Sequence, residues 1–288
     1  MGTKPLVVIL GPTASGKTNL ALELAERLHG EIICADSRTV YKGMDVGTAK
    51  PTADERARVR HHVLDLIEPG QPFSVADFKR LADDAIEDIQ SRGKTPFLVG
   101  GSGLYVDAVV YNFSFTHEAD PILRKKLEKL SVEELQHKIT NNELELPKNA
   151  QNRRHLIRTL ETGGAAPAMH ERPNTLLIGL DVEPSELRQR SIARTDAMFA
   201  GALVAEAKQL AEKYGWDIEP MKAPAYRAAR QLIEGTVDET GAKELCTTYD
   251  MQLAKKQRTW FRRNKSIQWV DDPRKVVDIV TTFLNNYI

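Results

Sequence analysis

The 288-residue sequence has few cysteines, no long apolar run and no excess of charge of either sign. Its two cysteines, Cys34 and Cys246, lie far apart and outside any C-x-x-C or Cys/His spacing, so neither a disulfide framework nor a zinc module is expected. No stretch approaches the roughly 20 consecutive apolar residues of a membrane span, and no signal-peptide pattern precedes the first apolar segment. We therefore expect a cytoplasmic protein with reduced thiols and no membrane contact.

A formal net charge of zero argues against nucleic-acid binding through a generally positive surface. The segment 251–270 differs from the rest, because it contains six basic residues and no acidic one. On a helix, three of the basic residues form one stripe, and less polar residues face the other side. The stripe consists of Lys255, Arg258 and Arg262, and the packed face of Leu253, Gln257 and Trp260.

Strand-like and helix-like segments alternate in the first hundred residues. Residues 6–10 read as a buried strand, and a helix over about 17–28 separates them from a second strand at 31–35. A helix over about 75–90 precedes a third strand, 96–99, which ends in Gly-Gly-Ser-Gly. This alternation predicts right-handed βαβ units around a parallel sheet flanked by helices, which is an α/β fold.

The strand pattern disappears between residues 115 and 173, where charged helical segments replace it at 121–130 and 132–140. This change predicts a small helical insertion. A strand at 175–180 then restores the earlier pattern, and three or four amphipathic helices follow it. These helices include 186–198, 202–214 and about 250–263. The predicted domains are a core formed by 1–114 with 174–288 and an insertion at 115–173.

A phosphate-binding motif lies between the first predicted strand and the first predicted helix. The segment GPTASGKT fits G-x-x-x-x-G-K-[ST], in which backbone N–H groups and the helix N-terminus surround phosphate oxygens. The lysine reaches a terminal phosphate and the threonine can bind Mg²⁺, which we expect as the cofactor. The predicted loop consists of Gly11, Pro12, Thr13, Ala14, Ser15, Gly16, Lys17 and Thr18.

The position of the nearest acidic residue is unusual for a P-loop protein that hydrolyses nucleotides. Such proteins usually carry an acidic residue at the end of a second apolar strand, but here the strand at 96–99 ends in glycines. Asp36, at the end of the strand 31–35, could serve as a metal ligand or a general base. The alternative is that Asp36 only caps the following turn.

Two further clusters favour structural interpretations. His61 and His62 stand near Asp65, but adjacent histidines point in different directions and only one carboxylate is near, so packing is favoured over metal binding. Arg190 and Arg194, with Arg188, have the spacing that is typical of a solvated helix face.

The chain resembles the bacterial tRNA dimethylallyltransferases in five segments, whose order and spacing also match that family. The segments are GPTASGKT from Gly11, DSRTVYKGMDVGTAKP from Asp36, HHVLDLIEP from His61, VGGSGLY from Val99 and LAKKQRTWFRR from Leu253. The resemblance spans nearly the whole chain. It implies a P-loop NTPase-like fold and transfer of a dimethylallyl group from dimethylallyl diphosphate to the exocyclic amine of adenosine 37, beside a tRNA anticodon.

The resemblance also implies roles for individual residues. The P-loop, with Lys17 and with magnesium at Thr18, would hold the departing diphosphate, and Arg190 would reach the same group. Asp36 would accept a hydrogen bond or proton from the attacking amine, and Ser102 would orient the reacting groups. Contacts with the anticodon stem-loop are implied for Asp36, Ser37, Arg38, Thr39, Ser102, Arg124, Arg154, His155, Leu156, Ile157, Arg158, Lys255, Arg258 and Arg262.

Three other functions remain open at this point. A related enzyme could prenylate free adenine nucleotides, which would need no RNA surface. A P-loop small-molecule kinase would bind ATP and transfer phosphate, although the missing acidic strand end argues against it. An RNA-binding protein with a non-functional P-loop is the third alternative, and the intact Gly16, Lys17, Thr18 and Asp36 argue against it. We expect a monomer.

Overall fold

Six parallel strands form one sheet in the computed structural model, which describes residues 4–115, 120–165 and 168–287. The spatial order of the strands is β3-β2-β4-β1-β5-β6. The predicted α/β class with a parallel sheet is therefore confirmed. The strands are β1 (Leu6–Leu10), β2 (Gly30–Cys34), β3 (His61–His62), β4 (Thr95–Gly100), β5 (Thr175–Leu180) and β6 (Gln268–Val270).

Helices cover the sheet and connect its strands. In chain order they are α1 (Lys17–Arg27), α2 (Ala53–Arg58), α3 (Val75–Ser91), α4 (Gly103–Val110), α5 (Pro121–Leu127), α6 (Val132–Asn141), α7 (Arg153–Thr162), α8 (Pro184–Ala200), α9 (Leu203–Tyr214), α10 (Pro224–Ile233), α11 (Glu239–Phe261) and α12 (Arg274–Asn285). A short 3-10 turn, Glu219–Lys222, precedes α10. Among the described helices, none has the length and apolarity that crossing a membrane requires.

One hydrophobic core lies between a face of the sheet and the helices α1 and α12. Alternate strand residues such as Val7 and Ile9 contribute to it, because successive side chains of a strand point to opposite faces. Leu24 of α1 and Val280 of α12 are fully buried in the same cluster. Because β2, β4 and β1 are parallel neighbours, their carboxyl ends lie side by side, which is where ligands bind in open α/β sheets.

Helix boundaries follow local capping more closely than hydrophobic periodicity. Helix α3 begins at Val75, as predicted, because Ser74 and Asp77 form a reciprocal capping box. Helix α11 begins at Glu239, well before the predicted residue 250, because the Asp238 carboxylate accepts a hydrogen bond from the Gly241 N–H at 2.8 Å. Five described helices, α8 to α12, follow β5, whereas three or four were predicted; α10 and α12 are the ones that were not named.

The chain divides into two compact units. One consists of Met1–Val110 with Arg172–Ile288, and the other is Tyr111–Glu171. The second unit has its own core, in which α5, α6 and α7 bury Leu127, Leu135, Ile139, Leu156 and Ile157. Residues 116–119 and 166–167 of the predicted insertion lie outside the described residues, as does the N-terminal methionine.

Candidate active site

The loop between β1 and α1 has the conformation of an anion-binding loop. Ala14 (φ 63°) and Gly16 (φ 89°) adopt left-handed backbone conformations, and the Ser15 N–H donates to the Pro12 carbonyl at 3.3 Å. Helix α1 begins at Lys17 with no side-chain cap. The first N–H groups of a helix have no acceptor within it. Because no side chain caps them here, they can bind an anion.

Two polar side chains of this loop, Lys17 and Ser15, have properties that are typical of a ligand-binding site. The Lys17 ammonium donates to the Pro12 carbonyl at 3.1 Å. Burial lowers the pKa of Lys17 to about 8, an effect that the Asp36 carboxylate opposes and the Arg194 guanidinium reinforces. The buried Ser15 hydroxyl has no hydrogen-bond partner among the described residues. A perturbed lysine beside an unsatisfied buried hydroxyl is typical of a binding site.

Asp36 and Ser102 are brought together by the ends of β2 and β4. The Ser37 N–H donates to the Ser102 hydroxyl at 2.9 Å, and the Arg38 N–H donates to Asp36 Oδ1 at 2.8 Å. Within the described part of the chain, Asp36 Oδ2 has no hydrogen-bond partner and is free to accept one. A Cβ at Gly100 would lie 2.0 Å from the Ala35 carbonyl oxygen, so only glycine permits this approach.

A single cavity of about 420 Å³ joins the P-loop to Asp36. Its lining includes both polar and apolar residues. Burial raises the pKa of the Cys34 thiol to about 12, so this cysteine stays protonated. The polar lining residues include Thr13, Lys17, Thr18, Asp36, Thr39, Arg190 and Arg194. The apolar ones, together called the apolar wall, include Ala21, Ile32, Cys34 and Val99.

The two cavity arginines of α8 are held differently. Arg190 Nη1 donates to the Ser15 carbonyl at 2.9 Å and Nη2 to Glu186 at 2.5 Å, so Arg190 supports the P-loop backbone. Arg190 also lines the cavity, so its predicted contact with the diphosphate stays a prediction.

Arg194 also faces the cavity, and the sequence interpretation missed its importance. Its Nη2 donates to the buried Asp250 carboxylate at 2.5 Å, and the same oxygen accepts from the Ser191 hydroxyl at 2.9 Å. The Arg194 Nε is buried and has no partner in the described structure. The four-residue spacing from Arg190 was the available signal, since it places both side chains on one helix face.

Comparisons with known proteins agree over most of the chain. A family model described as IPP transferase matches residues 39–264. The chain belongs to the IPP transferase family. It is 37% identical to the tRNA dimethylallyltransferase of Bacillus subtilis, with 93% of this chain and 91% of the relative covered.

A second relative and a solved structure extend the match. The chain is 41% identical to tRNA dimethylallyltransferase 1 of Trichlorobacter lovleyi, over 96% of this chain and 97% of the relative. Its structure is similar to the crystal structure of the tRNA isopentenylpyrophosphate transferase of Bacillus halodurans, with a TM-score of 0.76 and 36% sequence identity. The match covers 99% of this chain and 98% of that one. The IPP transferase fold of this chain is therefore P-loop NTPase-like.

In this member of the IPP transferase family, one carboxylate fixes the segment that follows Asp36. Glu206 of α9 accepts hydrogen bonds from the N–H groups of Asp45, Val46 and Gly47, each at 2.9 Å, and from the Tyr226 hydroxyl at 2.6 Å. Thr48, Ala49 and Lys50, which follow this anchor, line the cavity.

Removal of this anchor should destabilise the fold. We expect Glu206→Ala to lower the free energy of unfolding by about 3 kcal/mol, because four donors lose one charged acceptor. Denaturant unfolding followed by circular dichroism measures the change. Glu212→Ala, an exposed position on the same helix, is the matched control. An equal change in both variants would contradict the anchoring role.

The basic stripe of α11 is partly neutralised within the IPP transferase core. Asp181 accepts from Arg258 Nη2 at 2.6 Å through one oxygen and from Arg262 Nη2 at 2.7 Å through the other. Lys255 is exposed and has no ion pair among the described residues. The predicted packed face is confirmed for Trp260, whose Nε1 donates to Asp107 at 2.8 Å.

The predicted RNA-contact residues of the insertion separate into two groups. Leu156 and Ile157 are buried in the core of this unit, which leaves only their backbone for the predicted RNA contact. Arg124 and Arg158 both approach the Glu161 carboxylate, at 3.2 and 3.8 Å. Their side chains remain over 40% exposed, and Arg154 and His155 are exposed.

Glu31, His62 and Asp88 place three potential metal-binding atoms within 4.8 Å of one another. Their surroundings disfavour a cation, because the Glu31 carboxylate already accepts from Arg92 and Lys94. The Arg92 guanidinium holds the pKa of Glu31 well below its usual range. His62 Nε2 lies 2.7 Å from Glu31 Oε2 and His61 Nδ1 lies 2.8 Å from the Val59 carbonyl oxygen, so both histidines have protein partners.

Proposed function

We propose that the protein transfers a dimethylallyl group from dimethylallyl diphosphate to the exocyclic amine of adenosine 37 of tRNA, releasing diphosphate. The observation that carries this proposal is the single cavity into which the P-loop, the Asp36 carboxylate and an apolar wall open. The names of the relatives supply the acceptor class.

The P-loop end of the cavity suits the diphosphate of the donor. Backbone N–H groups at the start of α1, the Lys17 ammonium and the Arg194 guanidinium neutralise the charge that grows on the leaving oxygen as the allylic C–O bond breaks. The buried Ser15 hydroxyl offers a further donor. Arg190 keeps the loop in shape through the Ser15 carbonyl.

The residues of the cavity also suit magnesium. The Thr18 hydroxyl and the Asp36 carboxylate both line it, and oxygen atoms are the ligands that Mg²⁺ prefers. When bound with the donor, magnesium would add positive charge beside the diphosphate oxygens. Thr18 is the residue that we propose to hold it.

The apolar wall suits the five-carbon tail of the donor. Ile32 and Val99 exclude water from the allylic carbon, which would otherwise be hydrolysed as its bond to oxygen weakens. Cys34 lies in the same wall, and its raised pKa keeps it a neutral thiol. The thiol therefore does not compete with the amine for this electrophilic carbon.

The Asp36 end of the cavity suits an adenine that has left the anticodon stack. An exocyclic amine is a poor nucleophile, so a carboxylate oxygen that accepts its N–H raises its reactivity as the new C–N bond forms. Asp36 Oδ2 can accept this hydrogen bond while Oδ1 is held by the Arg38 N–H. Ser102 fixes the Asp36 segment through the Ser37 N–H, and a base in a loop leaves its stack at low cost.

Lys255, Arg258 and Arg262, together with the insertion (residues 115–173), supply the basic groups that we propose for the tRNA backbone. Release of the two arginines from Asp181 should strengthen this contact. We expect Asp181→Asn to raise tRNA affinity about threefold at low salt and to steepen the slope of log affinity against log salt by about 1.

Asp272→Asn is the matched control for this experiment, because its carboxylate pairs only with Arg274 in the described structure and its loss changes the net charge equally. Filter binding over a salt series measures both variants. Equal affinities and slopes for the two would contradict a role of Arg258 and Arg262 in tRNA binding.

The function is tested by incubating the purified protein with dimethylallyl diphosphate, Mg²⁺ and unmodified tRNA, followed by mass analysis of the nucleosides. We expect one adenosine per tRNA to gain a C5H8 unit. Two parallel reactions are run: one contains AMP in place of tRNA, and the other contains ATP in place of the prenyl donor. Prenylation of AMP alone would show a nucleotide prenyltransferase, and phosphate transfer from ATP without prenylation would show a kinase.

A further inference from the structure

The side chain of Gln257 joins two loops of the active site. Its Oε1 accepts a hydrogen bond from the Thr13 N–H of the P-loop at 2.8 Å, and its Nε2 donates to the Gly101 carbonyl at 3.0 Å. Both ends of one amide are therefore used, and each end holds the backbone of a different loop. The side chain is partly buried, so these bonds are shielded from water.

The loop around Gly101 is shaped to receive this amide. A Cβ at Gly101 would lie 2.3 Å from the Gln257 Nε2, so a side chain there would displace the amide. Trp260, one turn further along α11, packs against Gly103, where a Cβ would lie 2.3 Å from its ring. Two residues one helical turn apart on α11, Gln257 and Trp260, thus contact the loop formed by Gly101–Gly103.

Under the proposed function, the two loops that Gln257 joins contact different substrates: one faces the prenyl donor and the other the acceptor adenine. The P-loop holds the diphosphate of the donor. The turn after β4 carries Ser102, whose hydroxyl fixes the Asp36 segment through the Ser37 N–H at 2.9 Å. The relative position of these loops sets the distance between the allylic carbon and the amine. A misplacement of about 1 Å between reacting groups can lower a rate about a hundredfold.

We propose that Gln257 is a positioning residue that sets the donor loop against the acceptor loop. Its role rests on the proposed function but is separable from it, because it concerns alignment and not the binding of either substrate. A residue that only stabilised the fold would affect binding of both substrates together with the rate.

The test compares Gln257→Met, which keeps the length of the side chain and removes both hydrogen bonds, with the wild-type chain. We expect the single-turnover rate of prenyl transfer to fall about thirtyfold. The affinities for inorganic diphosphate and for unmodified tRNA should each stay within about threefold, and the melting temperature should change little. Water should also capture more of the misaligned donor, giving dimethylallyl alcohol and diphosphate, so that diphosphate release exceeds prenyl-adenosine formation.

Two further variants complete the experiment. Gln252→Leu, at an exposed position of the same helix, should transfer at the wild-type rate. Gly101→Ala displaces the amide from the opposite side and should reproduce the Gln257→Met rate loss. The proposal is overturned if Gln257→Met transfers as fast as Gln252→Leu, or if its rate falls only in proportion to lost binding. An inactive wild-type chain would instead contradict the proposed function.

Discussion

Asp36→Asn is expected to reduce the rate of prenyl transfer by about a thousandfold, within the range that a positioned general base contributes. The substitution keeps the shape of the side chain and the acceptor for the Arg38 N–H at Oδ1. It removes the negative charge that receives the N–H of the amine. Single-turnover measurements with saturating donor and tRNA report this step directly.

The affinity for tRNA separates a catalytic role of Asp36 from a binding role. We expect Asp36→Asn to bind tRNA within a few-fold of the wild-type chain, because one carboxylate contributes little to an interface dominated by phosphate contacts. A large loss of tRNA affinity with an unchanged single-turnover rate would contradict the assignment. Asp36→Ala should behave like Asp36→Asn in rate, since both lack the carboxylate.

Lys17→Met is expected to weaken binding of inorganic diphosphate by about 30-fold to 150-fold, since a charge-assisted hydrogen bond contributes about 2–3 kcal/mol. The rate of transfer should fall as well, because the same ammonium faces the charge that develops on the leaving group. Isothermal titration with inorganic diphosphate and single-turnover kinetics measure the two effects. A variant that binds diphosphate normally would show that Lys17 points elsewhere.

The lowered pKa of Lys17 gives this lysine a pH signature. The free enzyme carries the ammonium below its pKa of about 8 and the neutral amine above it. Diphosphate binds the ammonium form, so the contribution of Lys17 to affinity should be lost as pH rises through about 8 and beyond. Bound diphosphate raises the pKa of Lys17, so binding above pH 8 should take up a proton.

Lys17→Arg is the control for the pH experiment, because a guanidinium keeps its proton throughout this range. Its diphosphate affinity, even if lower than that of the wild-type chain, should lack the fall above pH 8. A wild-type profile that stays flat to pH 9.5, or an arginine variant with the same fall, would assign the titration to another group.

The parts of the fold that could be predicted from the sequence are those fixed by near neighbours. The strand, glycine loop and helix at residues 6–27 follow from a continuous apolar run and a motif, and the structure contains them. Strands β3 and β6, with two and three residues, are too short to give an apolar alternation. They form because β2 and β5 offer open edges to them.

The same limit applies to the candidate site. Lys17, Thr18 and Asp36 could be predicted because a motif and a strand end define their positions. The contacts of Arg258 with Asp181 and of Gln257 with Thr13 join residues 77 and 244 positions apart, and no local pattern encodes them. The burial of Leu156 and Ile157 depends on packing against α5 and α6, which the resemblance to RNA-contact segments did not indicate.

The hydrogen bonds of Glu206 determine whether the cavity residues Thr48–Lys50 become ordered during folding or only on substrate binding. Since α9 holds the N–H groups of residues 45–47 in the folded chain, Thr48–Lys50 are ordered before any substrate arrives. The loss of conformational entropy for this segment therefore occurs during folding and does not weaken donor affinity. Donor binding therefore does not have to fold this segment.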